Sequence, residues 1–519
     1  MRKSRSRVLL VELVVLCFLV SALGVSALAG DEYQFTMSIE SPEEQSDSYF
    51  GFPVDVYGDI MVIGESWAYV EDIYHAGRAH IFDLDGNLKV TLHAPAPQIS
   101  CKFGSSVAIS GDIILVGEPY ANIGDTTDAG RAHIFNSDGS LHATIQSPTP
   151  TMSGVFGWSL CFSGDTIVVG EYGVDVEEIP DAGKVHLYDS DGNYLETLQS
   201  PEPSAAALFG YSLDGSEGIF VVGEQYAKVG DTGQAGKAYI FDSDGDLLAT
   251  LQSPEPQYDA IFGRSVAVSG DIVVVGEYYA KVEGLSKAGR THIFDTDGNL
   301  LASLQSPEPE ASAMFGRWVD TSGDLVLVAE PSANGESIDE GRAYVFDPEG
   351  NLLATLSAPE PALRTEFGNL VFVKGEIIAV MEYGAAKVGK LYIFQPGAAD
   401  FTISGLTIEP SSVNEGGTVT VSVECSNEGS RAGSHTITLE IDGEIEDEKT
   451  VTLDPDESTS VSFEVSAAEE GSHSVDVNGL TGSYEVKKAQ TGIPGFPLES
   501  IIAGLAVAII VLWLHQRTS

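Results

Sequence analysis

A Phe-Gly pair recurs at Phe50, Phe103, Phe156, Phe209, Phe262, Phe315 and Phe367, in steps of 53 residues five times and then 52. Self-similarity at that period demands an array of one supersecondary unit, because no single copy can bury its own apolar faces. Every other reading of the chain has to fit around that repeat.

The copy beginning at Phe262 shows what the unit is. Residues 265–269 read as a first strand closed by a Ser-Gly-Asp turn, and 272–276 as a second. The unbroken Ile-Val-Val-Val of the second suits a strand covered on both faces. Residues 290–294 make a third strand, then Asp-Thr-Asp-Gly-Asn a hairpin turn in which Gly298 supplies positive φ. Residues 300–305 make a fourth, stopped by Ser-Pro-Glu-Pro. Four antiparallel strands repeated seven times predict an all-β, seven-bladed β-propeller over 33–397. The seventh copy holds only three strands, while Met-Ser-Ile-Glu-Ser-Pro-Glu at 37–43 matches the fourth-strand segment 249–255. Strand 33–41 is therefore expected to complete the last blade and hide two open edges.

Ahead of the repeats, Arg2, Lys3, Arg5 and Arg7 precede an apolar run from 8 to 20 broken only by Glu12, with Ala27-Leu28-Ala29 as a cleavage site. Residues 1–29 read as a secretory signal, with a retained anchor helix as the alternative, so the propeller is expected outside the cell. A formal charge of −51 over 519 residues argues against a nucleic-acid partner. After cleavage Cys101, Cys161 and Cys425 remain, too few for a disulfide framework or a zinc site. Cys425 lies in phase with Val419, Val421 and Val423, as a small buried residue would. A Cys101–Cys161 bridge between neighbouring blades stays open.

The string Phe-Gly-x-Ser-Val-Ala-x-Ser-Gly-Asp-Ile-Val-Val-Val-Gly-Glu with a following Ala-Gly-Arg-Ala-His-Ile-Phe resembles the FG-GAP repeats of integrin α-subunit propellers. That resemblance implies an extracellular adhesion or ligand-binding module. Two departures matter. Integrin blades often carry calcium between the first two strands, where this chain has short turns such as Gly58-Asp59 and Gly111-Asp112. In addition, Glu stands in place of the Ala of Gly-Ala-Pro. The Asp83/Asp85/Asn87 and Asp242/Asp244/Asp246 turns place glycine fourth and lack the closing Glu of an EF-hand. No metal or cofactor is therefore expected; calcium has no complete motif.

Each copy carries an acid at the end of strand two: Glu65, Glu118, Glu171, Glu224, Glu277, Glu330 and Glu382. Each also carries a base at the start of strand three: Arg78, Arg131, Lys184, Lys237, Arg290, Arg342 and Lys390. The expected arrangement is one structural ion pair per blade, worth about 0.2–1 kcal/mol; a carboxylate ring holding cations is the alternative. The loops between strands two and three, and four and one, are the long ones, and binding residues concentrate on long loops held by a scaffold. Trp67, Tyr120, Tyr226 and Tyr279 follow the ring acid on that face and are the candidate ligand-binding residues. The competing reading packs them against the neighbouring blade.

Beyond the repeats, alternations at 418–425, 436–441, 460–465, 475–477 and 484–486 predict an Ig-like β-sandwich over 400–487. The stretch from Phe-Thr-Ile-Ser-Gly-Leu-Thr-Ile-Glu-Pro to Gly-Ser-Tyr-Glu-Val resembles CARDB, the cell-adhesion-related domain of prokaryotic surface proteins, which implies a stalk. A linker, 488–497, carries Pro494-Gly495-Phe496 before the hydrophobic segment 498–519. Its apolar run, 501–514, is shorter than the roughly 20 residues that span a bilayer unaided. Pro-Gly-Phe, a short apolar helix and Arg517 together resemble C-terminal sorting signals of archaeal surface proteins, implying either replacement of the tail by a lipid or a retained membrane anchor.

No His-Glu-x-x-His, Gly-x-Ser-x-Gly or phosphate-binding loop is present. His80, His133, His186 and His292 share one repeat position with Tyr239, Tyr344 and Tyr392, an exchange that suits hydrogen bonding better than metal ligation. The expectation is a non-catalytic, surface-anchored protein whose partners are extracellular glycans or proteins. A structural envelope component is the alternative, with an extracellular propeller enzyme behind it.

Overall fold

The computed structural model describes residues 33–488, apart from 44, 336–337, 362 and 385–387, with scattered helical positions between 502 and 513. The expected signal segment and the Pro-Gly-Phe motif lie outside the described residues. Among those described, no helix is long and apolar enough to cross a membrane. The chain divides into two units at Pro396/Gly397.

Seven four-stranded sheets form the propeller. In the fifth blade the strands are Phe262–Ser269, Ile272–Glu277, Arg290–Asp295 and Leu300–Leu304, paired in that order. The second strand is almost wholly buried because its residues serve two interfaces. Val273 and Val275 pack with Val221, Ile240 and Leu251 of the fourth blade. Val274 turns the other way, to Val326, Val328 and Tyr344 of the sixth. That is why the sequence has no alternation there.

The last blade is composite. Its sheet runs Tyr33–Glu40, Lys390–Pro396, Ile377–Glu382, Leu370–Lys374, with Ser38 opposite Tyr392 and Ile39 opposite Leu391. The chain's first described strand thus supplies the outer edge that the seventh repeat lacks.

The Phe-Gly signature is the clasp between blades. Phe315 N–H donates to the Ala288 carbonyl at 2.9 Å, and an equivalent bond of 2.9–3.0 Å joins every neighbouring pair, ending with Phe50 to Val388. All seven Phe rings are fully buried. The glycine preceding the strand-three base is needed for this approach: Gly289 has φ +91°, and a Cβ there would meet the Phe315 carbonyl oxygen at 2.0 Å.

The second unit is a sandwich of a three-stranded sheet (Phe401–Glu409, Thr418–Asn427, Ser458–Ser466) and a five-stranded one. The latter runs Ser412–Asn414, Leu480–Lys487, Gly471–Val477, Gly433–Ile441, Glu444–Leu453. Val419, Val421, Val423, Cys425 and Phe463 lie in its core. Cys101, Cys161 and Cys425 are all free thiols.

Candidate functional site

The seven ring acids end their second strands directly opposite their bases, from Glu65/Arg78 to Glu382/Lys390. Every one of these carboxyls is buried. The partner that recurs is the side chain two residues beyond the base. His80, His133, His186 and His292 place Nε2 2.6–3.0 Å from Oε2 of Glu65, Glu118, Glu171 and Glu277. Their Nδ1 atoms meet Thr91, Thr144, Thr197 and Ser303 on the fourth strand. Tyr239 and Tyr344 instead donate a hydroxyl to Glu224 and Glu330 at 2.6 and 2.7 Å.

The bases divide. Arg78 and Arg131 hydrogen-bond to Glu65 and Glu118. Lys237, Arg290 and Arg342 turn to Glu202, Glu255 and Glu308, which sit in the Ser-Pro-Glu-Pro segment leaving the preceding blade. Lys390 pairs with Glu40 across the closing strand. Arg131, whose outer segment offers Ala96 where most blades have Glu, keeps the ring pair and adds the Ala96 carbonyl through Nη2. Arg78 reaches both Glu65 and Glu43, tying the closing segment to the first blade.

Titration follows these partners. Burial raises Glu65 and Glu118, but bonds from His80 and Arg78, and from His133 and Arg131, outweigh it and hold both carboxyls below their ordinary value. Burial prevails at Glu224 and Glu330, which are pushed up to about 7 despite their Tyr and Ser donors. Oε1 of Glu65, Glu171, Glu224, Glu277 and Glu330 is buried without a hydrogen-bond partner. Among the described residues no group of three or more His, Cys, Asp or Glu side chains is disposed to hold a metal.

A second set of acids lies on the innermost strands. Asp55, Asp214 and Asp320 come from the first, fourth and sixth blades, and each accepts a backbone N–H of the next blade, at Ile109, Val268 and Val373 (2.6–2.8 Å). Burial pushes Asp55 up to about 6, Asp214 to about 7 and Asp320 well above its ordinary value, and mutual repulsion adds at Asp214 and Asp320. All three occupy one repeat position, five residues after Phe50, Phe209 and Phe315. They are staples between blades, and sequence periodicity hides them because other blades place Ala, Cys or Phe there.

The four candidate aromatics lie on the long-loop face, each half-buried, and fall into two groups. Trp67 packs on Tyr49 and His75, and Lys102 Nζ lies 4.1 Å from its ring and 4.6 Å from that of Tyr120. Tyr279 packs on Tyr278 with Lys287 Nζ 3.8 Å above it, and Tyr226 stands near Arg264. Between the groups runs a belt that the sequence reading missed. Tyr120 meets Trp158, which touches Tyr172 and Tyr211 at 5.3 and 5.6 Å. Tyr211 then faces Arg264, Arg264 faces Trp318, and Trp318 meets Phe52 at 5.1 Å. Phe52, Trp158, Tyr211 and Arg264 all occupy the position just after Phe-Gly. The available signal was variation at one site among otherwise similar copies.

A seven-bladed propeller with an aromatic long-loop face, followed by an Ig-like sandwich, suggests a protein of the adhesion or ligand-binding type. Comparison with known families agrees: the FG-GAP repeat matches residues 90–135 and 249–294, and CARDB matches 398–479. No curated protein matches the chain.

Proposed function

We propose that this is a non-catalytic adhesion or ligand-binding protein, tethered at the cell surface through its C-terminal segment, whose propeller presents its long-loop face to extracellular glycans or proteins. The observation that carries the reading is the continuous belt of half-buried rings, with Lys102, Arg264 and Lys287 among them, in a chain of net charge −51. Cations held against aromatic faces on the long-loop side suit ligand capture. A glycan-and-protein array probed with the full chain tests it. Saturable capture that is lost when Trp67, Tyr120, Tyr226 and Tyr279 are together changed to Ala is the expected result. Capture unchanged in that variant discards the assignment of those residues.

A further inference from the structure

We propose that Arg264 and the rings around it form a subsite for the carboxylate of an acidic sugar, a uronic acid within an extracellular glycan. This deepens the function proposed above and rests on it.

Arg264 is a cation without a counter-charge. Its guanidinium carbon lies 5.2, 5.5 and 5.8 Å from the rings of Tyr211, Tyr278 and Trp318. One Nη1 bond goes to the Tyr211 hydroxyl at 2.8 Å, and the Gln225 carbonyl oxygen lies 3.5 Å away. Among the described residues no carboxylate stands within ion-pair distance of it, in a chain with 77 acids. Its Nε–H is buried with no acceptor, and so is the indole Nε1–H of the neighbouring Trp318. A guanidinium carries five donors; with only neutral oxygens on Nη1 and no carboxylate beside it, this cation lacks a counter-charge, and an anion is the partner that supplies one. The Arg264 side chain remains partly accessible, so an anion can reach it.

The surroundings select the anion. Trp158, Tyr172 and Tyr211 extend ring faces away from Arg264, and flat rings take the apolar C–H face of a pyranose. The partly accessible polar groups among them are the Tyr172, Tyr211 and Tyr226 side chains, whose hydroxyls match those of a sugar. Repulsion from the acidic chain is screened beyond about 8 Å at physiological salt, so the local cation governs.

The test is calorimetric titration of the full chain with tetragalacturonate and with its methyl ester, which keeps the rings and removes the charge. The acid is expected to bind at least about tenfold more tightly than the ester. Arg264→Gln should bring the acid to the level of the ester, and Arg264→Lys should recover part of the difference. Equal binding of acid and ester by the unaltered chain overturns the subsite without recourse to any variant, as does full affinity in Arg264→Gln. Capture of only neutral glycans or acidic peptides on the array overturns the subsite and leaves the proposed function standing; capture of nothing removes both.

Discussion

Phe50 N–H donates to the Val388 carbonyl at 2.9 Å, so residues 338 positions apart in sequence make the same bond that joins consecutive blades elsewhere. Ring closure thus uses the ordinary inter-blade clasp, reinforced by the pairing of Tyr33–Glu40 with Lys390–Pro396 and by Arg78 gripping Glu43.

Removing residues 33–43 should open the ring. The deletion strips the outer edge from the seventh blade, uncovers Leu391 and Ile393, and leaves a free strand edge. A lower unfolding midpoint and early proteolytic cutting within 370–396 are the expected results. A deletion variant that melts with the intact chain would show that the strand merely decorates the sheet.

Gly289 and Gly284 offer a matched pair, both at φ +91°. A Cβ at Gly284 meets nothing within 4 Å, whereas one at Gly289 meets the Phe315 carbonyl oxygen at 2.0 Å. Gly284→Ala should cost about 1 kcal/mol from backbone strain alone. Gly289→Ala must also push two blades apart and should cost roughly 3 kcal/mol or more. Urea unfolding of the two variants compares them, and equal losses would refute the clasp.

Those glycines explain why the fold was legible. Phe-Gly and Ala-Gly recur because seven backbone contacts have no room for a side chain, and a steric demand repeated seven times shows as a period. The site was less legible. Glu277 and Arg290 do face each other in register, as their spacing implies, yet Arg290 reaches Glu255 from the neighbouring blade. A choice between two acids on different sheets leaves no local pattern. Arg264 escaped because a repeat directs attention to what recurs, and this position differs from blade to blade. In the sandwich, Glu444–Leu453 was missed for another reason: it is a charged edge strand, exposed along most of its length, so no alternation marks it.

Tyr239 is expected to matter out of proportion to one hydroxyl. Its Oη donates at 2.6 Å to Glu224 Oε2, which otherwise receives only the Ser200 hydroxyl at 3.0 Å, while Glu224 Oε1 is buried without a partner. Tyr239→Phe keeps the ring packed on Phe209 and removes a donor from a buried carboxyl. The loss should be about 1–3 kcal/mol. Thermal or urea unfolding measures it; a loss within a few tenths would mean that the slot is held by packing alone.

Stability should fall as pH rises from about 5 to about 8. Asp55, Asp214 and Asp320, with Glu224 and Glu330, have folded values raised by burial, to about 6 or 7 where a figure applies, against 3.8 and 4.5 for unperturbed groups. Between those limits the native state binds more protons than the unfolded chain, so each step up in pH favours unfolding, and the effect levels off above the folded values. Buried His75 and the more exposed His93, whose values are lowered first by desolvation, push the other way below about pH 6.5, two groups against five. Surface carboxylates have finished ionising by about pH 5, so the many acids of this chain do not set the slope in this window. Urea midpoints across the range should decline in the intact protein and decline less when Glu224 and Glu330 are both changed to Gln. A midpoint that rises with pH would mean that burial does not keep these carboxyls protonated into the neutral range.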